Sequence, residues 1–168
     1  VVLVLCESFS MYKSSMSGNP LNNTPYFNRM CNEGIFFERC FTPSFGTARG
    51  VFATITGIPD VQLSKFSTRN EESVNQRTII NDFDGYEKYY FIGGRSQFNN
   101  FKGLISNINN VHLFEEGKYK APSINVWGIS DKNLFLEAND ILAKEQKPFF
   151  AIIQTADNHR PFNIPVED

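Results

Sequence analysis

Short apolar runs of strand length alternate along the chain with segments of helical periodicity, and this alternation constrains the fold most strongly. Residues 1–5 (VVLVL) and 149–153 (FFAII) are continuous β-branched or apolar runs. Such runs are typical of strands buried on both faces of a parallel sheet. Because parallel neighbours need crossover connections, strands that alternate with helices predict a layered α/β fold with parallel strands.

The remaining elements follow from periodicity and from turn residues. Residues 130–144 form the clearest predicted helix, because Ser130 is a suitable N-cap and apolar residues recur there at helical spacing. Thr24 and Pro25 predict the start of another helix. The predicted helices are 26–32, 47–56, 71–83, 130–144 and a short one within 99–110, and the further strands are 35–41 and 89–92.

Size and charge narrow the class of protein. The 168 residues are 41% hydrophobic and 20% charged, which suits one domain, or part of a larger one, with a substantial core. A net charge of −2 does not favour general nucleic-acid binding, which needs a concentrated basic face. No apolar run approaches the roughly 18 residues of a membrane span, and no signal peptide is visible. The chain opens inside a predicted strand, so its N-terminus looks cut from something longer.

Polar side chains follow the predicted strands where ligands bind in α/β proteins. Glu7 follows the first strand, residues 155–160 follow the strand at 149–153, and Gly46 and Thr47 lie in a loop after another strand. Ligands of open α/β sheets sit beyond the carboxyl ends of the strands. We therefore expect these residues to meet at one edge of the sheet.

Glu7 and Thr47 are the two candidates for chemistry at this edge. A carboxylate beside a buried strand is costly unless it is paired or binds a cation. Thr47 is predicted at a helix N-terminus, where free N–H groups suit an anion such as phosphate, and its hydroxyl can act as a nucleophile if a metal lowers its pKa. The alternatives are an ion pair or cap for Glu7 and a simple N-cap for Thr47.

Other polar residues are candidates for binding the substrate. Arg49 could neutralise a transferred oxyanion, and Arg95 after Gly93-Gly94 could meet an anion. His159, preceded by Asn158, could hydrogen-bond a substrate oxygen or act as an acid, or it could be a solvated loop histidine. His112, in an Asn-rich stretch, is interpreted as a surface residue.

Taken together, ordered segments of the chain resemble the lipoteichoic-acid-synthase-like sulfatase family, within the alkaline phosphatase superfamily. The resemblance covers nearly the whole chain. Its segments are residues 5–10 (LCESFS), 23–25 (NTP), 32–37 (NEGIFF), 45–50 (FGTARG), 127–131 (WGISD), 148–151 (PFFA) and 158–162 (NHRPF).

The resemblance implies a three-layer α/β/α sandwich with a mostly parallel, alkaline-phosphatase-like sheet. It also implies an extracytoplasmic domain tethered to the cell membrane by N-terminal helices that are absent here. Members transfer or hydrolyse phosphate- or sulfate-ester groups with a bound divalent metal, here expected to be manganese or magnesium, with zinc as an alternative. By position, Glu7 looks like the metal-ligating glutamate, Thr47 like the nucleophile and second metal ligand, and His159 like the substrate-contacting histidine.

Two departures from the family pattern shape the prediction. The family completes its metal site with an Asp-His pair and a further Asp from a later segment, and no such pair follows Phe162. Residues 1–168 are therefore interpreted as the apparently truncated N-terminal part of one catalytic domain, expected to bind metal poorly and turn over little alone. The Trp-Asn-Arg that some relatives use for glycerolphosphate appears here as Asn99-Asn100-Phe101, which does not favour that specificity.

The residue type at position 47 separates phosphate from sulfate chemistry. Formylglycine sulfatases need Cys or Ser in a CxPxR-type motif, and a threonine cannot give the aldehyde. Cys40-Phe41-Thr42-Pro43 has its proline one place late and lacks the arginine. We therefore expect Thr-based phosphoryl transfer or phosphodiester hydrolysis on an anionic lipid- or glycan-linked ester. The alternatives are a formylglycine-independent sulfatase and a non-catalytic module that binds anionic glycans; the oligomeric state is left open.

Overall fold

The computed structural model describes residues 1–61 and 64–165. Within this part of the chain, the order of the strands across the sheet is β1-β4-β2-β3, and each neighbouring pair is parallel. The predicted parallel α/β sheet is confirmed. Its strands are β1 (Val2–Leu5), β2 (Glu87–Ile92), β3 (Val111–Phe114) and β4 (Phe149–Gln154).

Helices connect the strands and two of them are positioned by local capping. The helices are α1 (Pro25–Glu33), α2 (Thr47–Thr56), α3 (Glu71–Val74), α4 (Phe101–Ile105) and α5 (Asp131–Leu142). Helix α2 starts directly after Gly46, whose φ of 79° is readily adopted by glycine. Helix α5 is capped by Ser130, whose hydroxyl accepts a hydrogen bond from the Asn133 N–H. Helices α1, α2 and α5 lie where the sequence predicts them.

Alternating side chains of the central strands build a core on each face of the sheet. Tyr90, Ile92 and Ile152 pack with α2 and α4 on one face. Phe91 and Ile153 pack with α5 on the other face. Helices therefore cover both faces of the central strands, as expected for a three-layer α/β/α arrangement.

The described chain divides into two compact units. One contains the sheet with helices α2 to α5. The other, Ser8–Thr42, contains α1, where the buried Ser14 hydroxyl donates to Asn28 Oδ1 at 2.9 Å and the Phe9 and Phe27 rings lie 4.9 Å apart. None of the helices in residues 1–61 and 64–165 has the length and apolar character needed to cross a membrane.

The predicted strand at residues 35–41 is wrong. This segment has no regular secondary structure, and Ile35, Phe37 and Phe41 are exposed. A β-branched and aromatic composition favours a strand only where a neighbouring strand and a core receive it. The described sheet offers neither to these residues.

The predicted helix at residues 71–83 is also wrong in extent. Helix α3 ends at Val74, and a 3-10 turn follows only at Ile79–Asp82. The Val74 carbonyl accepts the Gln76 N–H at 3.0 Å and the side-chain amide of Asn107 at 2.8 Å, in place of the bond that another helical turn would make. A local turn and a tertiary contact thus share this carbonyl at the end of the helix.

The two outer strands differ from the sequence prediction. Strand β1 lies at an edge of the described sheet, so Val2 and Val4 are exposed while Leu3 and Leu5 pack against the core, and the prediction of burial on both faces is wrong. Strand β3 was not predicted. It contains His112, which is exposed as expected and pairs beside Tyr89.

Candidate active site

Glu7 is held at the carboxyl end of the sheet by the neighbouring strand. The Thr155 hydroxyl accepts a hydrogen bond from the Glu7 N–H at 2.8 Å. The Thr155 N–H in turn donates to the Leu5 carbonyl at 3.0 Å, which extends the pairing of β1 and β4. Because Thr155 is itself buried, the position of the half-buried Glu7 is set by the strand ends rather than by a loose loop.

Thr47 meets Glu7 across this edge. The Thr47 hydroxyl donates to Glu7 Oε2 at 2.6 Å, a short hydrogen bond to a carboxylate. Thr47 is the first residue of α2, so its side chain lies where the helix dipole and free N–H groups favour a negative charge. The two residues that the sequence predicts to act together are thus in contact.

The pair supplies two oxygen donors that suit a hard divalent cation. In the described residues, no group of three or more His, Cys, Asp or Glu side chains converges as a metal site would require. Glu7 and Thr47 could therefore supply two of the ligands of such an ion, and their role as metal ligands stays a prediction.

A cleft of about 790 Å³ opens beside the pair. Aromatic side chains and the amide of Gln154 contribute to its walls, and Gln154 is held by the buried Tyr90 hydroxyl, which donates to it at 2.6 Å. Burial raises the pKa of this tyrosine, so it stays a neutral donor. Among the residues that line the cleft are Glu7, Thr47, Phe98, Trp127, Thr155 and His159.

His159 lines the same cleft, as the sequence predicts for a substrate-facing residue. Its Nδ1 lies 2.8 Å from the Arg160 carbonyl oxygen, and its ring centroid lies 4.0 Å from that of Trp127. Asn158 lies in the adjoining turn, half-buried, and is not among the lining residues of the cleft. The structure therefore brings His159, but not Asn158, to the cleft that Thr47 and Glu7 line.

Arg49 is not brought to this cleft. Its side chain is only 3% exposed, with Nε 3.8 Å from Asp60 Oδ2 and the guanidinium between the rings of Phe45 and Phe66. A buried guanidinium requires a counter-charge, and Asp60 provides it eleven residues along the chain. Arg95 does line the cleft, and its Nε pairs with Glu116 Oε2 at 2.6 Å.

Asp131 and Asp157 form a reciprocal pair that sequence reasoning did not single out. The Asp131 N–H donates to Asp157 Oδ2 at 2.7 Å, while the Asp131 carboxylate accepts from the N–H groups of Ala156 at 2.7 Å and Asp157 at 3.1 Å. Burial raises the pKa of Asp131 to about 6, with the charges of Asp157 and Glu7 adding to the effect against the opposing backbone donors. The only sequence signal was an acidic residue at each of two predicted element ends.

The sequence and fold were compared with known proteins. Lipoteichoic acid synthase 1 of Bacillus subtilis is 26% identical over 180 residues, which cover this whole chain and 28% of the relative. An alkaline phosphatase superfamily protein from Vibrio parahaemolyticus has a TM-score of 0.85 and 29% identity, covering 98% of this chain and 42% of that one. The lipoteichoic acid synthase LtaP from Listeria monocytogenes has a TM-score of 0.84 at 18% identity, covering 99% and 42%.

The chain spans about a quarter of the length of the curated relatives it matches. The family model described as Sulfatase matches residues 1–167, almost the entire chain. With its parallel sheet between helical layers and its alkaline phosphatase superfamily neighbours, the chain belongs to the Sulfatase family.

Proposed function

We propose that the protein carrying this chain is a metal-dependent phosphotransferase or phosphodiester hydrolase that uses Thr47 as its nucleophile. The observation that carries the proposal is the 2.6 Å contact between the Thr47 hydroxyl and Glu7 at the N-terminus of α2. A nucleophilic hydroxyl must be activated, and a site for a transferred phosphoryl group must stabilise negative charge. The Glu7 carboxylate can activate the Thr47 hydroxyl, and the N-terminus of α2 can stabilise the negative charge.

The chemistry proceeds by displacement at phosphorus. The Thr47 oxygen forms a bond to phosphorus while the bond from phosphorus to the leaving alcohol oxygen breaks, and the hydroxyl proton passes to the Glu7 carboxylate. His159, lining the same cleft, gives a proton to the departing oxygen. Water or an acceptor alcohol then forms a bond to phosphorus and gives its proton to His159, while the bond from phosphorus to the Thr47 oxygen breaks. The proton held by Glu7 returns to that oxygen and restores the Thr47 hydroxyl.

A divalent cation, manganese or magnesium with zinc as the alternative, is the proposed cofactor. Glu7 and Thr47 would hold it, and its remaining ligands would come from outside this chain. When bound, such an ion lowers the pKa of a coordinated hydroxyl and neutralises charge on the transferred group.

The proposed substrate is an anionic lipid- or glycan-linked ester, handled as by a phosphoglycerol transferase. The curated relatives are lipoteichoic acid synthases, which supports our proposal that the activity takes place at the cell membrane, on the extracytoplasmic side. The aromatic walls of the cleft support this class of substrate, because Phe98 and Trp127 offer apolar surface beside the site of chemistry.

The proposal is tested with Thr47→Ala in the full-length protein, using a p-nitrophenyl phosphodiester with added manganese. We expect turnover to fall by at least about 10³-fold, because the nucleophile is removed. Thr47→Ser is the matched control, since it keeps a hydroxyl at the same place and should retain measurable turnover. Full activity of Thr47→Ala would overturn the nucleophile assignment. Chelation by EDTA should abolish wild-type turnover, and manganese or magnesium should restore it.

Two alternatives are distinguished in the same assay. A formylglycine-independent sulfatase would turn over p-nitrophenyl sulfate faster than the phosphodiester and would yield no phosphothreonine by mass spectrometry. A non-catalytic module that binds anionic glycans would turn over neither ester. The proposed phosphotransferase prefers the phosphodiester and yields a phosphopeptide that contains Thr47.

A further inference from the structure

The loop that carries His159 is fastened at its far end by Trp127. The indole N–H of Trp127 donates to the Arg160 carbonyl at 2.8 Å. The indole ring lies against the His159 imidazole, with 4.0 Å between centroids and 48° between planes. A single side chain thus contacts both the ring of His159 and the backbone that follows it.

The same carbonyl determines which imidazole nitrogen carries a proton. Nδ1 of His159 lies 2.8 Å from the Arg160 oxygen, the atom that also accepts the Trp127 N–H. A carbonyl oxygen has two lone pairs and can only accept, so Nδ1 must be the donor. The neutral imidazole is therefore held as the Nδ1–H tautomer, and the proton that His159 gives to the leaving oxygen is the second one, carried on Nε2 of the imidazolium.

The near end of the loop is fastened by Asp131. Its carboxylate accepts the N–H groups of Ala156 and Asp157, at 2.7 and 3.1 Å. Its own N–H donates to the Asp157 carboxylate at 2.7 Å. These bonds place the backbone two residues before His159.

Contacts of Trp127 with Asn125 and Phe98 hold it in place in turn. Its N–H donates to Asn125 Oδ1 at 2.7 Å, and the Phe98 ring packs edge-on to the indole at 5.1 Å. The next residue, Gly128, lies so close to Gly93 that a Cβ there would come within 1.9 Å of the Gly93 oxygen. The segment from Trp127 to Asp131 is therefore tied to the end of β2.

We propose that Trp127 and Asp131 are positioning residues that fix the loop, orientation and tautomer of His159 from its two sides. This inference rests on the proposed function only for the role of His159 as a proton donor. The positioning itself follows from the contacts described above. Residues 127–131 thus hold His159, the side chain that transfers the proton, in position.

The first test uses fluorescence and needs no turnover. Trp127 is the one tryptophan of the chain, so the emission is measured in the full-length protein with any other tryptophans replaced by phenylalanine. At a single fixed pH, the emission of an indole depends on the ring in contact with it, and the His159 imidazole lies 4.0 Å from the Trp127 ring between centroids. His159→Gln removes this ring and should therefore change the intensity of the Trp127 emission. Unchanged emission in His159→Gln would overturn the positioning contact.

The second test is a double-mutant cycle in the full-length protein. Trp127→Phe keeps an aromatic ring and loses the N–H donor, so we expect kcat to fall about 10-fold with KM changed less than 3-fold. In the His159→Gln background the same substitution should have no further effect on kcat, because a positioning residue acts through its partner. Equal kcat losses in both backgrounds would overturn the inference. Thermal unfolding of each variant verifies that it is folded.

The two proposals fail in different ways. If His159→Gln keeps wild-type turnover while the Trp127 emission changes, the positioning stands and the assigned task of His159 falls. If His159→Gln loses turnover and the Trp127 emission is unchanged, the task stands and the positioning falls.

Discussion

At the scale of single residues, the arrangement of Glu7 depends on one buried hydroxyl. Thr155 accepts the Glu7 N–H and is only 7% exposed. If Thr155 offered no acceptor, the Glu7 N–H would be removed from water without a hydrogen bond, and the protein would be less stable by the desolvation free energy of that group. Thr155 therefore holds the backbone of Glu7 in place, and its hydroxyl next to the end of β4 fixes the position from which Glu7 contacts Thr47.

Replacement of Thr155 by valine should weaken both stability and turnover. Valine keeps the shape of threonine and removes the acceptor, so we expect the free energy of unfolding to fall by about 1–3 kcal/mol. We expect kcat for the phosphodiester to fall about 10-fold, since Glu7 is no longer held against Thr47. Denaturant unfolding and steady-state kinetics measure the two effects. Thr155→Ser restores the acceptor and should resemble wild type; a valine variant as active and stable as the serine variant would contradict this role.

At the scale of elements, the end of β2 and the segment before α5 meet backbone to backbone. The Ile129 N–H donates to the Gly93 carbonyl at 3.3 Å, and Gly128 adopts a φ of 108° at the contact. Side chains would keep the two segments apart. Glycines at positions 93, 94 and 128 thus allow the backbone of Trp127 to lie directly against the end of β2.

Gly128→Ala should disrupt this contact severely. The new Cβ would lie 1.9 Å from the Gly93 oxygen and 2.4 Å from the Gly94 nitrogen, so backbone must move. We expect a loss of more than about 4 kcal/mol in unfolding free energy. Gly117→Ala is the matched control, because Gly117 also has a positive φ (89°) but has no atom near its Cβ position. It should cost about 1 kcal/mol, and equal midpoints for the two variants would contradict the steric explanation.

At the scale of the whole molecule, negative charges converge on the carboxyl edge of the sheet although the chain is nearly neutral overall, with a net charge of −2. Burial, together with Asp157 and Glu7, raises the pKa of Asp131 to about 6. An unfolded aspartate titrates near pH 3.9. Between these values the folded protein holds more protons than the unfolded one.

Stability should therefore decrease as pH rises from about 4 to about 6, by the linkage of proton binding to folding. Asp131→Asn removes this ionisation and should flatten the dependence over that interval, whatever its effect on absolute stability. The measurement is denaturant unfolding across this pH range with EDTA present. An unchanged slope in Asp131→Asn would show that another group is responsible.

Local sequence signals predicted the helices that begin at their own capping or turn residues. Ser130 and the apolar spacing after it identified α5, and Thr24-Pro25 and Gly46-Thr47 identified the starts of α1 and α2. Residues 35–41 show the limit of such signals, because strand propensity does not provide a partner strand. Helix α3 shows it again, since the carbonyl at its last residue, Val74, accepts the side chain of Asn107 from 33 residues away.

Apolar runs and helical periodicity are enough to predict the class of fold, and residue chemistry identifies Glu7 and Thr47 as candidates. Their contact does not follow from two strand ends that meet at one edge, because residues 35–46 contain no strand; Thr47 reaches Glu7 from the first position of α2. Only the tertiary structure decided that β1 lies at the edge of the described sheet, that Arg49 turns to Asp60, and that Trp127 and Asp131 support His159. The reason is the range of the forces involved. Capping and periodicity act within a turn or two of the chain, whereas the bond between Glu7 and Thr155 joins residues 148 positions apart and exists only once the sheet has formed.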